Sequence, residues 1–358
     1  MADILFIGNI QWGQNSTGGG VQTKNQHFLR YIKSRGVQCK FYDTWGKHSI
    51  VSLLMSMFYI IMAKRDEPII LSISSRGPYY MANICQLLHL KRRVFYWVAG
   101  GDFTMFVEKV SPRKREVYKF YEKVVVQCEY MKRDLDILGF TNCEVVPNFK
   151  PIIYNPPIVK QYAEITRFVF FSRILQEKGV NEIIEVFKNL RNSNISIDFY
   201  GTLQPPYSND FFKSLKSFNI QYKGFLDMSR QEGYEILSRY DVLLFPTYFE
   251  GEGFPGTLLD SFIAGVPVIA TDFHANSEII KDGVNGILIP PKDVDSLSKA
   301  IVKLASNSEL RKQIRGNAIL SAKRYEMEYV LDKAFKELGI YKLNHLKYEP
   351  YKISEKKN

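Results

Sequence analysis

Asp241-Val-Leu-Leu-Phe-Pro-Thr-Tyr-Phe-Glu-Gly-Glu-Gly-Phe-Pro-Gly-Thr-Leu-Leu-Asp260, continuing into Ser261-Phe-Ile-Ala-Gly-Val-Pro-Val-Ile-Ala-Thr-Asp272, is the stretch whose reading decides the fold. An apolar run, a glycine-rich turn, a helix-period segment and a second apolar run follow one another, which is a strand, turn, helix and strand. Gly253 and Gly256 let backbone come close to a ligand, and the N–H groups that open the following helix are donors without intrahelical partners. Together they predict a phosphate cradle. Asp260 falls one to two turns along that helix, within reach of a ribose hydroxyl, and Glu252 sits in the turn.

Outward from this unit the same alternation extends over the chain. Ile4–Asn9, Gln38–Tyr42, Ile69–Ile73, Val94–Val98, Val124–Gln127 and Glu144–Val146 read as strands, with helix-length segments between most of them. Pro147-Asn148-Phe149-Lys150-Pro151 and Asn155-Pro156-Pro157 can continue neither element and read as a linker. The pattern restarts with Phe168–Phe171, Ser196–Tyr200, Gln221–Lys223, Val242–Phe245, Val268–Ala270 and Gly286–Ile289, and helices are expected near 293–305, 308–324 and 326–342. The fold class is α/β: two Rossmann-like, doubly wound domains facing a central cleft. The expected boundaries are 1–160, 161–325, a helix at 326–345 that returns to the first domain, and a flexible Lys-rich tail at 346–358.

Composition narrows the class. The 358 residues, 46% hydrophobic and 24% charged, suffice for two cores of ordinary size. Four cysteines, Cys39, Cys85, Cys128 and Cys143, show no Cys-x-x-Cys pair, so neither a zinc site nor a disulfide framework is suggested, and a reduced cytoplasmic setting is expected. Met1 leads directly into Ile4-Leu5-Phe6-Ile7 without the pattern of a signal peptide. The net charge of +11 is uneven: residues 1–160 hold 22 Lys/Arg against 12 Asp/Glu, and residues 161–358 hold 26 against 25. Such a surface suits an anionic partner, with Lys91-Arg92-Arg93 and Arg113-Lys114-Arg115 through Lys119 and Lys123 as the candidate elements. Ser49 to Ala63 is nearly all apolar and bracketed by Lys47, His48, Lys64 and Arg65. It is too short to span a bilayer, and both a buried helix and an in-plane interfacial helix fit it.

Two further constellations carry chemistry. Phe171-Ser172-Arg173-Ile-Leu-Gln-Glu-Lys178-Gly179 follows the first strand of the second domain and offers two cations five residues apart, able to clamp a diphosphate. Gly18-Gly19-Gly20-Val21 follows the first strand of the chain and opens a helix. A literal Gly-x-Gly-x-x-Gly is present at Gly251, Gly253 and Gly256, with Asp272 beyond it. It falls on the fourth strand of its domain, where a dinucleotide fingerprint does not belong, and Glu252 inside it would repel a pyrophosphate.

In these residues the chain resembles the retaining family-4 glycosyltransferases of the GT-B fold. The Glu-x7-Glu signature corresponds to Glu252 and Asp260, the Arg-x4-Lys pair to Arg173 and Lys178, and the N-terminal Gly-Gly-Val to Gly19-Gly20-Val21. Softer matches are Val146-Pro147-Asn148, Gly201, and Glu278 with Asp282-Gly283. The resemblance implies that Glu252 bonds hydroxyls of the donor sugar, that Gly256 and Thr257 offer backbone N–H groups to the phosphates, that Gly253, Phe254 and Pro255 belong to the donor-binding segment, and that Asp260 holds the ribose. It places Gly201, Phe225 and Leu226 at the nucleobase and Gly19 and Gly20 on the diphosphate. A first-domain His common in relatives is missing from Trp97-Val-Ala-Gly-Gly-Asp102, and Asp102 is the candidate for its contact; a plain tight turn at Gly100 and Gly101 fits equally.

The implied activity is transfer of a sugar, with retention, from a nucleotide-diphosphate sugar to a glycan or lipid-linked acceptor, in cell-surface polysaccharide or glycolipid synthesis. No cofactor or metal is expected. The expected partners are the donor, the acceptor and an anionic membrane surface at the cytoplasmic face, with no nucleic acid. The alternatives are a sugar-nucleotide 2-epimerase on the same fold and a basic nucleic-acid-binding protein.

Overall fold

The computed structural model describes residues 4–11, 20–74, 76–157, 160–190 and 194–340. Gly18 and Gly19, the segment 346–358 and the end of the 326–345 helix fall outside them.

In the first domain the elements run β1 (Ile4–Gly8), α1 (Gly20–Ser34), β2 (Cys39–Asp43), α2 (Ser49–Met62), β3 (Ile69–Ser72), α3 (Arg76–Leu87), β4 (Val94–Trp97), α4 (Asp102–Glu108), α5 (Pro112–Arg115), β5 (Lys123–Val126), α6 (Glu129–Ile137) and β6 (Cys143–Val145). The second continues β7 (Thr166–Phe171), α7 (Val180–Asn189), β8 (Ile195–Tyr200), α8 (Asn209–Ser214), β9 (Ile220–Gly224), α9 (Gln231–Ser238), β10 (Val242–Phe245), α10 (Gly256–Ala264), β11 (Val268–Thr271), α11 (Asn276–Ile279), β12 (Ile287–Ile289), α12 (Val294–Ser306) and α13 (Ser308–Ala322), and α14 (Met327–Glu337) follows. Among the described residues these strands form two six-stranded parallel sheets, ordered β2-β1-β3-β4-β5-β6 and β12-β11-β10-β7-β8-β9. All twelve expected strands are present, with ends shifted by one or two residues.

The inner strands are apolar because helices cover both faces of each sheet, as in parallel sheets generally, whereas the edge strands β2 (Cys-Lys-Phe-Tyr-Asp) and β9 (Ile-Gln-Tyr-Lys-Gly) are partly exposed. β1, β3, β4 and β10 are buried at every position. On one face of the first sheet, Phe28, Tyr31 and Ile32 of α1 pack with Val330, Leu331 and Phe335 of α14. The C-terminal helix thus lies on the first domain, and Asp332 fixes it there by accepting from the Tyr31 hydroxyl at 2.6 Å and from Arg35 at 3.0 and 2.7 Å. The two chain crossings are hydrogen-bonded to each other: Lys150 N–H donates to Tyr325 O, and Met327 N–H to Lys150 O.

The apolar segment 49–63 forms a helix that is only half covered. Met57 and Ile60 are buried, whereas Ile50, Leu54, Phe58 and Met62 are 61%, 63%, 53% and 67% exposed, so a wholly buried helix is ruled out. No helix among the described residues is long and apolar enough to cross a membrane. The basic elements are also less free than their sequence suggests. Arg92 donates to the carbonyls of Ile60 and Ile61 at the end of α2, Arg93 pairs with Glu122, and Arg115 donates to the carbonyls of Val107 and Glu108. Lys119 and Lys123 pair with Glu116 and Glu144, and Lys91, Arg113 and Lys114 are exposed.

Gly201, just beyond β8, has φ of +143°, and a Cβ there would sit 1.7 Å from the Ser172 carbonyl oxygen. Gly201→Ala is therefore expected to destabilise the second domain by about 3 kcal/mol or more, through both strain and overlap. Urea unfolding of the variant checks this, and an unchanged midpoint would contradict it.

Candidate functional site

The strand order of the second sheet reverses between β7 and β10, and the loops leaving the carboxyl ends of those two strands diverge there into a crevice. Arg173 and Lys178 lie on the loop after β7, and Glu252 lies on the loop after β10. The reversal brings together residues that are 74 positions apart: the Lys178 ammonium is hydrogen-bonded to the Glu252 carboxylate, both side chains being largely buried. Thr247 also donates to Glu252, at 3.3 Å. Burial pulls the Lys178 ammonium below its ordinary pKa and nearby Arg173 adds to this, while Glu252 works in the opposite direction. Arg173 itself is exposed, its guanidinium 5.2 Å from the centre of the Phe249 ring. The site therefore pairs a lysine committed to a carboxylate with an arginine open to an anion.

Gly256 and Thr257 open α10 over a second cluster. Asp260, 3% exposed, accepts from the Tyr234 hydroxyl at 2.8 Å and from Lys150 Nζ at 2.9 Å. Both carboxylate oxygens are thus engaged, and a ribose at Asp260 would share it with Lys150 or displace it. Lys150 comes from the linker and lies under the start of α10, its Nζ 3.8 Å from where a Gly256 Cβ would be. Asn148 of the same linker donates to the Phe254 carbonyl at 3.2 Å. Pro255 precedes α10 as its N-cap.

A third contact closes the cleft. A Cβ on Gly101 would lie 2.6 Å from the carbonyl carbon and oxygen of Glu252, and one on Gly253 would lie 3.0 Å from the Gly101 nitrogen. Gly253 thus approaches the backbone of the other domain. The Tyr130 hydroxyl donates to the Glu252 carbonyl at 2.7 Å, and the Glu278 carboxylate accepts the backbone N–H groups of Glu129 and Tyr130 at 2.8 Å each, capping α6 across the interface. Asp102 is exposed and opens α4 one residue beyond Gly101.

The remaining expected contacts divide. Gly201 N–H donates to Gly224 O, which puts the Gly201 turn beside Phe225; that ring is 52% exposed, but Leu226 is buried at 3% and belongs to the core. Leu226 therefore offers a nucleobase no side-chain surface. Gly20 begins α1, and Gly19 lies outside the described residues.

The sequence reading missed Lys150, Tyr234, Tyr130 and Lys24. Lys150 was legible only as part of a proline-rich breaker. Lys24, on α1, is buried, and its ammonium donates to the Val98 carbonyl at 3.0 Å, at the edge of the loop that carries Gly101. His27, one turn on, is also buried; burial and then Lys150 and Arg30 push its pKa down to about 3, so it is neutral. A cavity of about 250 Å³ lined by Thr166, Asn194, Ile301 and Ala305 opens at the opposite, amino ends of β7 and β8, away from this chemistry.

Residues 158–320, which take in the second domain, match the model of the family glycosyl transferases group 1. An uncharacterized glycosyltransferase of Methanocaldococcus jannaschii is 25% identical over 263 residues, 64% of this chain and 64% of that protein, so the match covers a little under two thirds of the relative. The capsular polysaccharide biosynthesis glycosyltransferase CapM of Staphylococcus aureus is 22% identical over 347 residues, 87% of this chain and 88% of the relative. Among solved structures, Anabaena HepE in complex with UDP superposes with a TM-score of 0.70 at 14% identity, over 95% of this chain and 100% of that one. The fold is GT-B.

Burial pushes the Lys24 pKa down to about 7, against an unfolded value of about 10.4. The unfolded chain then binds the proton more tightly than the folded one, so the destabilisation by Lys24 is full below about pH 7 and fades as pH rises toward about 10. Lys24→Met is accordingly expected to melt higher than the native protein near neutral pH, with the gap closing in alkali. Thermal melts of both proteins across that range check this; a gap independent of pH would contradict it.

Proposed function

We propose that the protein transfers a sugar from a nucleotide-diphosphate sugar to a glycan or lipid-linked acceptor in the synthesis of cell-surface polysaccharide or glycolipid, working at the cytoplasmic face of a membrane. The observation that carries this reading is the Lys178 and Glu252 pair beside exposed Arg173, at the strand-order reversal of a group 1 glycosyltransferase domain. The name of the Staphylococcus relative supports the polysaccharide setting.

In this reading the donor diphosphate lies between Arg173, Lys178 and the N–H groups of Gly256 and Thr257. These cations neutralise the charge that grows as the bond from the anomeric carbon to the diphosphate oxygen breaks. Their fixed charge supplies the task a divalent ion would otherwise perform. Glu252, oriented by Lys178 and Thr247, accepts from hydroxyls of the donor sugar. Asp102 and the Gly100 to Gly101 turn face the same space from the first domain, where the acceptor enters. The acceptor hydroxyl attacks the anomeric carbon from the side the diphosphate leaves, its proton passes to a diphosphate oxygen, and configuration is retained.

Arg173→Ala is expected to lower kcat by about a hundredfold or more while leaving the melting temperature unchanged, since the side chain is exposed. Lys178→Ala should lose activity and also stability, by about 3 kcal/mol, because it strands a largely buried carboxylate. Release of nucleoside diphosphate from a panel of donor sugars, with and without acceptor glycans, reads the first; near-native turnover in Arg173→Ala would overturn the donor site. Sugar inversion without acceptor would point instead to an epimerase.

A further inference from the structure

The half-covered helix α2 presents a continuous apolar face to solvent. Ile50, Val51, Leu54, Met55, Phe58, Ile61 and Met62 fall on one side of it, and all are exposed. The face continues at both ends. Trp45, 39% exposed, lies in the turn before α2, and Leu87 and Leu88, 79% and 51% exposed, end α3. α3 packs beside α2, and the segment after it runs back to the α2 terminus, where Arg92 caps the carbonyls of Ile60 and Ile61. Contiguous exposed apolar surface of this kind marks a site of association.

Charge selects the occupant. Between Asp43 and Asp102 the chain holds seven Lys/Arg, namely Lys47, Lys64, Arg65, Arg76, Lys91, Arg92 and Arg93, against two acids, Asp66 and Glu67, and of the seven Arg93 is paired with Glu122 beyond this stretch. Glu67 is buried and accepts from the Lys64 backbone N–H, so it does not offset the cations at the surface. Lys47 and His48 precede the apolar face and Lys64 and Arg65 follow it, all four exposed. An apolar stripe that ends in cations at both termini and carries a tryptophan at its edge fits the boundary between acyl chains and anionic headgroups.

We propose that α2 and the adjoining end of α3 form a docking face for an anionic lipid bilayer, with α2 lying in the plane of the interface. This rests on the surface-acting transferase read above only for the acceptor it would serve. The orientation follows from the sheet. α2 starts at the carboxyl end of β2, where Thr44 N–H donates to Gly8 O and Asp43 accepts from the N–H groups of Ile10, Gln11 and Trp45. That end of the sheet borders the cleft, so seating α2 on lipid brings the cleft mouth to the headgroups.

Flotation of the full chain with phosphatidylcholine vesicles, with and without phosphatidylglycerol, tests this without donor or acceptor, so its outcome is independent of the transfer reaction. The native protein is expected to float with the anionic vesicles and to release in high salt. Leu54→Asp with Phe58→Asp should lower partitioning by roughly tenfold or more, and each of Lys64→Ala and Arg65→Ala by about fivefold. All these side chains are exposed, and unchanged melting temperatures would show that the fold is kept. Vesicle binding that survives Leu54→Asp with Phe58→Asp would overturn the proposal, as would absence of binding. A dimer in light scattering that the same pair of substitutions dissociates, without vesicle binding, would assign the face to a second copy of the chain.

Discussion

Where Gly101 of the first domain meets Glu252 and Gly253 of the second, two backbones come closer than any side chain would allow. The rest of the site is arranged around that approach. Tyr130 reaches over it to the Glu252 carbonyl, and Glu278 caps α6 from the opposite side. The turn that carries Glu252 is therefore held by both domains. Its carboxylate points back into the second domain, toward Lys178 and Thr247, and its main chain faces the first. A side chain at either glycine would wedge the domains apart and move Glu252 with them.

Three lysines, Lys24 and Lys178 buried and Lys150 largely so, resolve the charge problem of the cleft in different ways. Lys178 and Lys150 each find a carboxylate, Glu252 and Asp260 respectively. Because a buried pair is strongly destabilised when one partner is lost, these four residues constrain one another more than they add net stability. Lys24 donates to the Val98 carbonyl, and burial brings its pKa to about 7. Lys24 sits beside the loop that bears Asp102, and an anionic ligand in the cleft would favour its charged form.

The chain crosses between the domains twice, through the linker at Lys150 and through the segment before α14, and the two crossings are hydrogen-bonded together. Asp332, Tyr31 and Arg35 then anchor α14 to the first domain. Lys150 belongs at once to this double crossing and to the Asp260 cluster.

The sequence by itself determined the inner strands, because residues buried on both faces of a parallel sheet must be apolar at every position, and runs such as Val94–Trp97 and Val242–Phe245 admit little else. It also determined which loops carry Arg173, Lys178 and Glu252, since their spacing from the strand ends is local. Only the tertiary structure decided what each of these meets. Lys150 and Asp260 are 110 positions apart and Glu278 and Tyr130 are 148 apart, separations over which no periodicity or turn chemistry operates. The same holds for residues 49–63, whose composition fits a core helix and an interfacial one alike. Exposure depends on what packs against a helix, and here the sheet and α3 cover one side of α2 and leave Leu54 and Phe58 to solvent.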